Sequence, residues 1–182
     1  MSSHHIVRED QEPALLIADQ TVEFEFVQEL LEWSPTVIVT EQVLKSVLSW
    51  GIKIDIVVAQ QENISALTTV LLEQSPVRLL SCNSREDALS TALYFLIASK
   101  QKAVNVIAAE SLQSFEPFSS LDISVFHSGS RWSFIRNGHY EKWLPAGRTV
   151  GVYPSNDEPD LHTQQDGVVI IKRDHSFWVN EF

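Results

Sequence analysis

The stretch Thr36-Val-Ile-Val-Thr-Glu-Gln-Val-Leu-Lys-Ser-Val-Leu-Ser-Trp-Gly-Ile-Lys-Ile-Asp-Ile-Val-Val-Ala59 decides the fold. Its two ends, 36–39 and 54–59, are short apolar runs rich in β-branched side chains, as strands buried on both faces require. Between them Val43, Leu44, Val47 and Leu48 recur three and four residues apart, which predicts an amphipathic helix over 41–50. Gly51, directly after Trp50, is a C-terminal stop, because glycine accepts the left-handed backbone that ends many helices. Strand and helix taking turns in this way make a parallel α/β sheet.

The same alternation extends outward. Further strands are expected at 14–18, 77–80 and 103–107, and further helices at 24–33, 64–72 and 86–98, the last with Leu89, Ala92, Leu93 and Leu96 on one stripe. Ser84 with Asp87 three residues later reads as a capping box for that helix. Beyond Glu110 the rhythm changes. Residues 111–121 read as a loop, followed by strand-like runs at 122–126, 131–135, 139–143, 149–153, 167–171 and 177–181. Asn137-Gly138 is a hairpin signal, since a type I′ turn needs positive φ at both positions. Five of the six glycines fall in this second half, where turns need them. The expectation is a parallel, Rossmann-like α/β domain over 1–121 and a small antiparallel β domain over 122–182.

Composition narrows the function. The 182 residues, 44% hydrophobic and 20% charged, suffice for one compact domain or two small subdomains around a real core. A net charge of −11 has the wrong sign for neutralising the phosphates of a nucleic acid or an anionic membrane, so neither is an expected partner. No apolar run approaches the roughly 20 residues of a membrane span, and the run 14–18 is too short for a signal-peptide core. The single cysteine, Cys82, excludes an intrachain disulfide and a cysteine-built zinc site, which fits a cytoplasmic chain. His4 and His5 are only a pair.

Glycine placement removes two nucleotide-binding motifs. A P-loop or a dinucleotide fingerprint needs a glycine-rich turn after an early strand, and the first 128 residues contain only Gly51. In an open parallel sheet, ligands gather at the carboxyl ends of the strands. Asp19, Glu41, residues 60–62, residues 82–87 and Glu110 occupy those positions. Carboxylates there have the chemistry to hold Mg²⁺ with a nucleotide's phosphates, and they equally suit helix starts, where the macrodipole favours acids. Cys82 near a helix N-terminus is a thiolate candidate without a partner, since no histidine lies from Ile6 to Phe126; a buried, inert thiol is the expectation. In Asp174-His175-Ser176 the residues are adjacent and point apart, so they form no relay. Trp33, Trp50, Trp132, Trp143 and Trp178 read as core or interface anchors, with Trp132 or Trp143 able to stack on a heterocycle.

Several stretches, in order along the chain, carry a resemblance. They are Met1-Ser-Ser-His-His-Ile-Val-Arg-Glu9, Gln11-Glu-Pro-Ala-Leu-Leu-Ile-Ala18, Trp33-Ser-Pro-Thr-Val-Ile-Val39, Leu48-Ser-Trp-Gly-Ile-Lys-Ile-Asp55, Ala92-Leu-Tyr-Phe-Leu-Ile97, Ala103-Val-Asn-Val-Ile107 and Glu141-Lys-Trp-Leu-Pro-Ala-Gly147. Together they resemble a bacterial branch of the thiamine pyrophosphokinases. The resemblance implies an α/β domain followed by a β-sandwich, a homodimer, and transfer of a pyrophosphoryl group from Mg-ATP to thiamine. The family's acids are largely replaced, however. Its Asp-Gly after the second strand is Glu41-Gln42 in this chain, and its Gly-Asp-x-Asp after the third is Ala59-Gln60-Gln61-Glu62. Its Lys-Thr-Asp falls on Glu86-Asp87-Ala88, and its late Ser-Asn on Ser155-Asn156. The Arg-x-x-Asp-His stretch expected after Ala109 is missing. The degenerate catalytic positions are therefore Glu41, Gln60, Glu62 and Asp87, the thiamine-side remnant is Ser155 and Asn156, and no metal ligand set is retained. Losing one stabiliser of developing charge typically costs roughly 3 to 4 kcal/mol, and several are lost together. The resemblance thus implies a diverged homologue with little or no transferase activity and no cofactor. The alternative is an active enzyme using Mg²⁺ and ATP, with Glu41, Glu62, Asp87 and Asp19 rebuilding the site.

Overall fold

The computed structural model describes residues 12–20, 22–127, 129–155 and 160–182. The expected alternation is present. Strands β1 (Ala14–Ile17), β2 (Val37–Thr40), β3 (Ile56–Gln60), β4 (Arg78–Cys82) and β5 (Ala103–Ile107) alternate with helices α1 (Phe24–Leu31), α2 (Glu41–Ser49), α3 (Ile64–Val70) and α4 (Asp87–Ala98). Gly51 has φ of +69° and its N–H bonds the carbonyl of Leu48, so it does end α2. The capping box forms only in part. Ser84 Oγ accepts the Asp87 N–H at 3.3 Å, but its hydroxyl donates to the Asp87 carboxylate at 2.9 Å instead of leaving that carboxylate for a backbone donor.

The second half contains β6 (Asp122–His127), β7 (Ser130–Ile135), β8 (His139–Leu144), β9 (Thr149–Tyr153), β10 (Leu161–His162), β11 (Gly167–Lys172) and β12 (Phe177–Glu181). Ten strands form one sheet in the order β10-β9-β12-β7-β6-β5-β1-β2-β3-β4, and β8 with β11 forms a separate two-stranded ladder. The six strands from β6 to β4 are parallel; β7, β12, β9 and β10 continue the sheet antiparallel. Strand pairing therefore runs unbroken past residues 121 and 122. β6 is a parallel strand, not the first antiparallel one, because 111–121 is a crossover rather than a plain loop. It contains a 3₁₀ segment, Leu112–Phe118, that buries Phe115 and Phe118.

Two clusters fill the α/β part. One face of the sheet packs on α1, α2 and α3 through Val27, Val43, Leu44, Val47 and Leu71. The other packs on α4 and the 3₁₀ segment through Leu89, Ala92, Leu93, Phe115 and Phe118, and extends to Trp178 on β12. A third, smaller cluster joins the β8–β11 ladder to β9 and β12 through Tyr140, Leu144, Val150, Phe177 and Val179. The β region is thus two-layered, with one layer supplied by the end of the large sheet.

Asn137-Gly138 is a corner and not a hairpin turn. β7 pairs with β6 and β12, whereas β8 pairs with β11, so the dipeptide carries the chain from one layer to the other. Gly138, at φ +64°, is the only positive φ of the pair, and its carbonyl accepts the Arg173 N–H at 2.8 Å. A Cβ there would lie 2.1 Å from the Arg173 carbonyl oxygen, so the close approach of two backbones, more than turn type, demands glycine.

Candidate functional site

The rim at the carboxyl ends of β2, β3 and β4 gathers most of the residues expected there. Thr40 ends β2 and serves as the N-cap of α2, so Glu41 is the first helical residue and its charge faces the positive end of α2. Both of its carboxylate oxygens are engaged within the protein. Oε2 accepts the Gln60 backbone N–H at 3.0 Å, and Oε1 accepts the Asn63 side-chain amide at 2.6 Å. Glu41 thereby clamps the end of β3 and the turn into α3. Beside it, Gln42 donates from Nε2 to the Arg85 carbonyl at 3.2 Å, tying α2 to the loop before α4.

The other predicted residues lie around this clamp without joining it. Gln60 is half-buried at the end of β3, Glu62 is exposed in the following turn, and Asp87, exposed at the start of α4, receives the Ser84 hydroxyl. Asp19 is half-buried after β1 and accepts the N–H of its neighbour Gln20 at 2.6 Å. Ser155 is exposed beyond β9. β12, β7, β6, β5 and β1 separate β9 from β2, six strand spacings or about 29 Å along the sheet. Asn156 lies outside the described residues, as do His4, His5 and the opening stretch up to Gln11.

Cys82, the last residue of β4, is buried, and burial first, then the charges of Asp87 and Glu41, push its thiol above the ordinary value of 9.0. It is protonated at neutral pH, which removes it as a nucleophile. The Gln42–Arg85 bond brings the start of α2, with Glu41, beside the loop that leads to Asp87.

A magnesium ion needs several oxygen ligands in near-octahedral array. Among the described residues, no three His, Cys, Asp or Glu side chains are placed to share a metal ion. Gln60 carries no charge, and Glu62, Asp87 and Asp19 do not gather around Glu41, so the described residues do not fit the ion. Asn63, the side chain that completes the clamp, was missed from the sequence; the polar run Gln60-Gln61-Glu62-Asn63 was the available signal.

This architecture has close counterparts among solved structures. A probable thiamine pyrophosphokinase from Staphylococcus saprophyticus aligns with a TM-score of 0.58 at 13% identity, covering 92% of this chain and 96% of that one. Thiamine pyrophosphokinase from Bacillus subtilis gives 0.62 at 9% identity over 92% and 98%, and that from Candida albicans 0.63 at 10% over 95% and 90%. The chain has the thiamine pyrophosphokinase fold. Identities this low mark a sequence that has diverged widely while the thiamine pyrophosphokinase fold has been kept. No protein-family model matches the chain, and no curated protein matches it by sequence.

If Glu41 is a structural clamp, Glu41→Ala should lower stability by about 1–3 kcal/mol, because two donors lose a charged acceptor, whereas Glu62→Ala on the exposed turn should stay within about 0.5 kcal/mol. Urea unfolding measures both; equal, negligible effects would show that the clamp contributes nothing.

Proposed function

We propose that the chain is a diverged thiamine pyrophosphokinase-like protein with little or no ATP:thiamine pyrophosphotransferase activity, retaining the two-part layout of 1–121 and 122–182. The observation that carries this reading is the engagement of both Glu41 oxygens by Gln60 and Asn63. Those two bonds hold the Glu41 carboxylate toward β3 and the turn after it, the neighbouring Gln60 carries no charge, and among the described residues no further His, Cys, Asp or Glu side chains are placed to complete a cation site with it. Thiamine or a related small molecule remains the ligand class that the fold suggests. A reducing, cytoplasmic setting accords with the single buried thiol.

The rival reading is an active enzyme that binds Mg-ATP with a rebuilt carboxylate set. Its support is that the Gln42–Arg85 bond brings the start of α2, with Glu41, beside the loop that leads to Asp87. An assay for AMP released from ATP in the presence of thiamine and Mg²⁺ separates the two. The first reading predicts release no faster than a metal-free blank; thiamine-dependent AMP release would establish the second.

A homodimer formed through the β8–β11 ladder is part of the proposal. Its outward face presents Trp143, Val168 and Ile170, each more than half exposed, with Trp143 and Val168 register partners. An apolar patch of this kind marks an interface. Sedimentation should show a dimer that Trp143→Glu converts to monomer; a monomeric native chain would remove this part of the proposal.

A further inference from the structure

A cleft of roughly 960 Å³ lies between α1 and the β6–β7 hairpin and shares no lining residue with the rim. Its origin is topological. The β5–β6 crossover packs on the α4 face, through Phe115, Phe118 and Leu121. The opposite face of β5, β6 and β7 is therefore left to α1 alone. In register across that face stand Asn105, Ser124 and Ser133, all half-buried, a polar row that begins in the otherwise apolar strand β5.

The wall contributed by α1 and its flanks is apolar and aromatic. Phe26 packs on Phe126 with ring centroids 5.0 Å apart, and Trp33 stands 68% exposed at the mouth. Three carboxylates, Glu12, Glu23 and Glu29, line the same cleft, and none of them is in an ion pair with a described residue. The one cation of the lining, Arg131, is already committed. Its guanidinium lies 5.6 Å from the centroid of the Phe126 ring, bonds Ser124 Oγ at 3.3 Å, and adds its charge to those acting on Glu181.

We infer that this cleft is a binding site for a small flat organic cation, the ring held against Trp33, Phe26 and Leu30 and the positive charge facing Glu12, Glu23 and Glu29. The volume is that of a small-molecule site with an apolar wall and a few convergent polar groups. Three acids with no ion-pair partner among the described residues favour positive over neutral or negative ligands, and tryptophan is the preferred aromatic partner of a cation. Asn105, at the floor, offers a donor and an acceptor to fix orientation. The site does not depend on the reading of the rim, since it needs neither ATP nor a metal.

Calorimetric titration with N-methylquinolinium, quinoline and 2-naphthoate at neutral pH tests the inference on the full chain. The cation should bind saturably and at least about tenfold more tightly than its neutral analogue, with no saturable binding of the anion. Trp33→Ala and the double variant Glu23→Gln/Glu29→Gln change exposed residues and should each weaken the cation several-fold, while Leu72→Ala, an exposed residue after α3 and outside the cleft, should leave it unchanged. Absence of saturable binding, equal affinity for cation and neutral analogue, or indifference to both cleft variants would overturn it.

Discussion

The parallel pairing of β6 with β5 is the constraint on which the rest of the molecule depends. Through the register Ala103–Asp122 to Ile107–Phe126, it fuses an α/β layer to an antiparallel one in a single sheet. A parallel neighbour requires a crossover, and the crossover has to cover one face. Residues 111–121 cover the face of α4, burying Phe115, Phe118 and Leu121 against a core that reaches Trp178. That choice extends one apolar cluster through both halves of the chain, and leaves the α1 face open over Asn105 and Ser124.

At the rim the same scaffold holds an acid in hydrogen bonds to the protein's own groups. A carboxylate at a helix start is stabilised by the local dipole whether or not a metal is present. Glu41 uses that position to fasten β3 and the turn after it, and Gln42 fastens the loop before α4. The rim is held by hydrogen bonds between protein groups, which needs no ion to offset repulsion between acids. Apolar strands specify packing and survive such a change; site chemistry is set by the few side chains at their ends.

The sequence was most informative where periodicity carries the physics. Runs such as 103–107 and the stripe Leu89, Ala92, Leu93 and Leu96 fall in the strand and helix expected of them. The 3₁₀ segment was not legible, because seven residues with Pro117 inside show no helical period and reveal themselves only through burial of Phe115 and Phe118. Asn137-Gly138 announced a change of direction but not which strand would pair afterwards, a choice made by tertiary contacts of β8 with β11. At the site, spacing placed Glu41, Gln60 and Asp87 on one rim, yet whether an acid is free or clamped depends on partners such as Gln60 and Asn63, 19 and 22 residues further along the chain. Trp33, read as an anchor, stands exposed beside a cleft whose one sequence trace was an asparagine in an apolar strand.

The proposal turns on Glu41 holding protein groups and no metal. Mn²⁺ substitutes for Mg²⁺ and its electron paramagnetic resonance signal reports its ligands, so titrating it into the chain with a nonhydrolysable ATP analogue tests the claim directly. The account predicts the spectrum of the Mn²⁺–nucleotide complex free in solution, identical for the native chain and for Glu41→Gln. A stoichiometric protein-bound signal that Glu41→Gln abolishes would contradict it.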